Sequence, residues 1–204
     1  MSTLVTDPEI SQRLIEQRRA RGIDQHDEVW EGVYVMTPAP NNEHQELVFE
    51  IGFVLREVVT TAQLGQVFPG ANLTDRRDDW TQNYRCPDLV VFLNDTQAEN
   101  RDTHWLGGPD LAVEIVSPGD QTREKIPFYA KIGTRELLII DRDPWQLELY
   151  RLGDGQLTLA GKSNLAEPAL LASDVVPLRW RLLAGEKRPR LEVSHAHDAK
   201  SWNI

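Results

Sequence analysis

The sequence predicts an α/β fold: a central mixed β-sheet flanked by helices, with a helix and hairpin added before the core and a hairpin added after it. Three observations carry this. Leu89–Leu93 (LVVFL) and Leu111–Val116 (LAVEIV) are apolar runs with little alternation, as in strands buried on both faces. A helical segment follows the second run. A third apolar run, Glu136–Asp141 (ELLIID), follows that helix. Helix, strands, helix, strand and hairpin in this order fit a layered mixed sheet. The 204 residues suit a single domain over 1–204, with its core at about 25–160 and a polar, loosely attached tail over 185–204.

Each element has a local reason. Asp7 before Pro8 is a start signal and Gly22 a stop, so a helix is expected over Pro8–Arg21. Trp30–Met36 (WEGVYVM) reads as a short hairpin turning at Glu31–Gly32. Asn41 or Asn42 can cap a long helix running to about Gln63, with Leu47, Ile51, Val54, Leu55 and Val58 as its apolar stripe. A β-rich stretch through QVFPG and ANLTD leads to the two apolar runs, which a long polar stretch, Asn94–Pro109, connects. Pro127 fits the first turn of a helix that starts near Glu124 and ends at Ile132 before Gly133. Two strand-like segments, QLELYRL and QLTLA, flank Gly153-Asp154-Gly155, a hairpin signal.

Composition narrows the function classes. Hydrophobic residues at 40% and charged residues at 26% exclude wholesale disorder. A net charge of −10 argues against a general nucleic-acid or membrane coat protein. One cysteine, Cys86, excludes an internal disulfide framework and a cysteine-based zinc site. No apolar run approaches the ~20 residues that cross a bilayer. No basic patch followed by an apolar stretch marks the N-terminus, so a cytoplasmic protein with no membrane partner is the expectation.

The chemistry is signalled by acids inside apolar strands. Glu114 has apolar neighbours on both sides, and Asp88 opens the LVVFL run. A buried carboxylate is costly unless it is paired or holds a metal. Strands close in sequence are usually neighbours in space, so Asp88 and Glu114 can meet at one edge of the sheet. There a divalent cation would relieve their repulsion, and hard oxygen ligands favour magnesium or manganese. Taken singly, Asp88 also reads as a strand-start cap and Glu114 as half of a buried salt bridge. On the long helix, Glu50 and His44 lie ~60° to either side of Leu47 and can look toward the sheet, or form a solvated flank. Lys125 shares a helix face with Tyr129 and is the candidate cation beside a metal-bound water, if not a solvated lysine. Arg76, Arg77, Arg85, Arg101 and Arg123 cluster in sequence near these acids and are candidate phosphate contacts.

Several of these segments together resemble the Uma-two family of restriction-endonuclease candidates, assigned to the PD-(D/E)XK nuclease superfold. The resemblance is carried by RCPDLVVF, by PDLAVEIVSPGDQTREKIPFYAKIGTRELLIID, and by WEGVYVMTPAPNNEHQELVFEIGFVLRE with GQVFPG. It implies a restriction-endonuclease-like core and magnesium-dependent hydrolysis of DNA phosphodiesters, with manganese as an alternative cation. Asp88 and Glu114 match the family's acidic metal ligands, joined by the Ile115 carbonyl. Glu50 matches the acid of the first core helix, which would help hold a second ion or position water, and His44 matches a histidine at that helix's start. Val116 stands where the superfold has its lysine; in this family the lysine sits on the following helix, where Lys125 matches it. Gln121 replaces an aspartate usual eight residues before the tyrosine. DNA is the expected partner, and a homodimer would suit cleavage of both strands. Two alternatives stay open: a nuclease fold whose chemistry has decayed into a binding role, and a metal-dependent hydrolase of RNA or another phosphoester.

Overall fold

The computed structural model describes residues 3–37 and 39–204, and the side chain of Pro8 is not among its described features. The first two residues of the N-terminal segment read for a leader therefore lie outside the described residues.

The chain runs in order through β1 (Thr3–Val5), α1 (Pro8–Ala20), β2 (Glu28–Trp30), β3 (Val33–Met36) and α2 (Asn42–Leu55). Helix α2 continues as a π-helical segment, Arg56–Thr61. Then come β4 (Gly65–Pro69), β5 (Leu73–Thr74), β6 (Tyr84–Arg85), β7 (Leu89–Leu93), β8 (Glu99–Asn100), β9 (Trp105–Leu106) and β10 (Leu111–Ile115). A 3₁₀ turn at Thr122–Lys125 opens α3 (Ile126–Lys131), followed by β11 (Glu136–Arg142), β12 (Trp145–Gly153) and β13 (Gln156–Asn164). The chain closes with β14 (Leu171–Ala172), β15 (Leu178–Leu183), β16 (Arg190–His195) and β17 (Ser201–Asn203).

Local chemistry explains the boundaries. The Asp7 carboxylate accepts from the backbone N–H groups of Glu9 and Ile10, capping α1. Asn41 caps α2 by accepting from the His44 N–H at 2.9 Å. Glu31 and Gly32 both take positive φ, 47° and 86°, as a tight two-residue hairpin between β2 and β3 requires.

The central sheet has six strands in the order β13-β12-β11-β10-β7-β4. Only β10 and β11 pair in parallel, with α3 as their crossover; the other pairs are antiparallel. The strands alternate between two cores. Leu89, Val91, Leu111, Val113, Leu138 and Ile140 face α2 and a four-stranded C-terminal sheet, β14-β15-β16-β17. Val90, Phe92, Ala112, Leu137 and Ile139 face α3 and a seven-stranded sheet, β1-β3-β2-β6-β5-β9-β8. With cover on both faces, every alternate position must be apolar, which is why these strands show no polar face.

Two sequence expectations change. The polar stretch Asn94–Pro109 contributes β8 and β9 to the seven-stranded sheet, and Trp105 stacks on Phe92 with ring centroids 3.6 Å apart. The tail over 185–204 is not loose. It forms β16 and β17, and Leu191 and Val193 are fully buried beside Trp180 and Leu182. Its signal is a short two-residue alternation, easily outweighed by the surrounding charges. Leu191→Ala should destabilise the fold by about 3 kcal/mol, checked by urea unfolding.

Candidate active site

Asp88 and Glu114 come together because of strand register. Leu89 pairs with Val113 in the antiparallel β7–β10 ladder, so the next position along each strand sets Asp88 against Glu114. Both alternate onto the face of the sheet that carries Val90 and Ala112. Both line one cleft of about 320 Å³, together with Glu28, His44, Ile115, Ser117, Asp120 and Lys125.

Each group is held. Asp88 accepts from the Ile115 N–H through Oδ2 at 2.7 Å, and its Oδ1 lies 2.8 Å from His44 Nε2. His44 is buried in the first turn of α2, and its Nδ1 is 3.4 Å from the Ser117 hydroxyl. Glu114 Oε1 accepts from Lys125 Nζ at 3.0 Å and from the Tyr129 hydroxyl. Its other oxygen, Oε2, takes no hydrogen bond among the described residues and is not sealed from solvent, which leaves it open to the cleft.

Lys125 reaches this position from the 3₁₀ turn, with its ammonium also 2.9 Å from Glu28 Oε1. Glu28 was not singled out in the sequence. It sits buried on β2, where it accepts from the Cys86 N–H at 2.9 Å and from Trp30 Nε1 at 2.6 Å. Its only signal is an acid directly before Val29 and Trp30 in a three-residue strand.

Electrostatics follow from this packing. Burial pushes the Glu114 carboxyl well above its ordinary value of 4.5; Lys125 opposes the rise, and Asp88 and Glu28 add to it. Burial disfavours the Lys125 ammonium, but Glu114 and Glu28 outweigh it and hold the ammonium charged. Burial and the nearby Glu114 raise the Tyr129 hydroxyl, which therefore stays protonated as a donor. Burial also raises the Cys86 thiol, so it remains a protonated packing group. Four carboxyl groups and one ammonium line the cleft, an oxygen-rich lining suited to a hard cation.

Other candidates fall elsewhere. Glu50 does not line the cleft. It follows Val48 by two helical positions, ~200° around α2, which turns it away from the side that His44 and Val48 present. Tyr129, on the helix face it shares with Lys125, donates its hydroxyl to the Glu114 carboxylate. Arg85 is buried, its guanidinium lying over the Trp30 and Phe128 rings. Arg76 pairs with Glu31, Arg77 and Arg101 with Glu99, and Arg123 with Asp141 and Glu148. Four of the five arginines thus already have carboxylate partners, and the fifth is sequestered.

The mixed α/β fold thus brings two strand-borne carboxylates and a lysine together in one cleft. Residues 15–185 match a family model described as "Uma2: Putative restriction endonuclease", and the chain belongs to that family. The crystal structure of "a putative nuclease belonging to DUF820" from Anabaena variabilis is similar in fold, with a TM-score of 0.57 and 24% identity. The match covers 72% of this chain and 80% of that one. No match to the chain is found among the curated proteins. Among the described residues, no helix is long and apolar enough to cross a membrane.

Proposed function

We propose that this chain is a magnesium-dependent endonuclease of restriction-endonuclease-like fold that hydrolyses DNA phosphodiester bonds in the Asp88–Glu114 cleft. The observation that carries the reading is the juxtaposition of Asp88 and Glu114 on one face of the sheet, with the Lys125 ammonium 3.0 Å from Glu114. The succession α2, β4, β7, β10, α3 and β11 supports assigning the core to the PD-(D/E)XK superfold.

The donor set fits a hard divalent cation. Among the described residues, no three His, Cys, Asp or Glu side chains form a metal cage. Magnesium does not need one, since it keeps several waters and commonly takes one or two carboxylates. Asp88, the open Oε2 of Glu114 and the Ile115 carbonyl would hold it; manganese would suit the same oxygens. When bound, the cation supplies Lewis-acid chemistry, activating water and neutralising phosphate charge.

The chain's own residues complete the reaction. His44 and the Ile115 N–H fix the Asp88 carboxylate. Glu28 and Tyr129 fix the Lys125–Glu114 pair. The Lys125 ammonium places positive charge beside the attacking water and the phosphate oxygens. The water oxygen bonds to phosphorus as the bond to the departing oxygen breaks; the proton of the water passes to solvent, and solvent returns one to the departing oxygen. Incubation of supercoiled plasmid, single-stranded DNA and RNA with manganese or with EDTA tests this. Manganese-dependent nicking of DNA is expected; no cleavage of any of the three sinks the reading.

Cation binding should depend on pH in a defined sense. Folded Glu114 keeps its proton to higher pH than the unfolded chain does, so the folded state binds more protons between the two values. Stability from this group is therefore full below the ordinary value of 4.5 and falls as pH rises toward the elevated one. A cation that needs the ionised carboxylate reverses this loss. The rise in melting temperature on adding manganese should be larger at pH 8.5 than at pH 6, by differential scanning fluorimetry.

A further inference from the structure

Helix α2 and the edge strand β4 enclose an apolar groove of about 580 Å³ that opens beside the cleft. Gln45, Val48 and Pro69 line both, so the two spaces are continuous. Phe49 and Phe53 are 72% and 54% exposed, although each is a large ring with core positions close by. They lie one helical turn apart, ~6 Å along the axis, on the same face of α2. No acidic residue lines the groove, on a chain of net charge −10. Its one charged lining residue is Arg56, which is exposed and forms no ion pair among the described residues. The surface arginines Arg76, Arg77, Arg101 and Arg123 are all committed to acids.

We infer that this groove is a binding track for single-stranded polynucleotide, leading a strand into the cleft, with bases against Phe49 and Phe53 and a phosphate at Arg56. The inference rests on the nuclease reading of the adjacent site and deepens it by naming the substrate form. Exposed aromatic faces with cationic charge are the usual platform for unpaired bases, because every base has a face to stack and phosphate supplies the negative charge. The missing acids decide between occupants: a polyanion can follow this surface but would be repelled along the acid-rich remainder of the molecule. Both rings point away from the core, so truncating them removes no core packing.

The test uses the full chain in EDTA at low salt and a labelled 12-residue oligodeoxythymidine, read by fluorescence anisotropy. Wild type should bind it more tightly than a 12-base-pair duplex. The Phe49→Ala/Phe53→Ala variant should lose at least about tenfold in affinity at unchanged melting temperature. Hydrolysis of bis(p-nitrophenyl) phosphate with manganese reads the cleft alone and should be the same in both proteins. Equal oligonucleotide affinity in wild type and variant overturns the inference. So does sedimentation showing a wild-type dimer that the two substitutions dissociate without weakening oligonucleotide binding, because the groove would then seat a second copy. Ring-dependent oligonucleotide binding with no turnover of the small diester would uphold the groove and sink the hydrolytic reading of the cleft.

Discussion

Glu114→Gln should lower manganese-dependent DNA cleavage by about a thousandfold or more, roughly 4 kcal/mol of transition-state stabilisation, while the protein stays folded. The substitution keeps the shape of the side chain but removes the charge that faces the cleft. Fold retention is expected because Lys125 still has Glu28 at 2.9 Å, and an amide oxygen can still accept from Tyr129 and Lys125. Plasmid nicking against time measures the loss, and circular dichroism melting checks the fold. Undiminished cleavage by this variant would remove Glu114 from the mechanism. A loss shared with a collapsed melting curve would make the effect structural.

Glu28→Ala should destabilise the protein by about 4 kcal/mol, measured by urea unfolding, with Glu28→Gln losing less. Deleting this carboxylate orphans several buried donors together. The Cys86 N–H and the Trp30 indole N–H lose their acceptor, and the Lys125 ammonium keeps only Glu114. Breaking a buried ion pair from one side leaves the remaining charge uncompensated, which is the costly way to break it. The single amide oxygen of Gln can still accept from one of the two N–H groups, so the loss in Glu28→Gln reads mainly the charge and the further loss in Glu28→Ala reads the retained hydrogen bond. Equal losses would assign the effect to the charge rather than to the retained hydrogen bond.

The sheet was readable because its strands are covered on both faces, which forces an unbroken apolar run and makes any acid within it conspicuous. That logic located Asp88 and Glu114, and the register of neighbouring strands does set them face to face. It could not locate Glu28. A three-residue strand has too few positions to show a pattern, and the backbone group it binds lies 58 residues along the chain. Glu50 illustrates a different limit. Angular position on a helix told which side borders the stripe, but that stripe faces the core shared with the C-terminal sheet, not the cleft. Charge near the acids in sequence was equally uninformative about arginine roles, since Arg76 finds Glu31 in the β2–β3 turn, 45 residues away, and Arg77 finds Glu99 on β8, 22 residues away. The tail was hidden for the opposite reason. Leu191 and Val193 alternate correctly for a strand, yet two apolar residues among charged neighbours are a weak signal until β15 supplies the surface they cover.

One ammonium, on the turn before α3, is shared by acids from two different sheets: Glu28 on β2 and Glu114 on β10. Natural selection acting on foldability alone would preserve that lysine, whatever became of turnover. A chain that had abandoned hydrolysis would still need it to join the two layers, because its loss would leave two buried acids uncompensated.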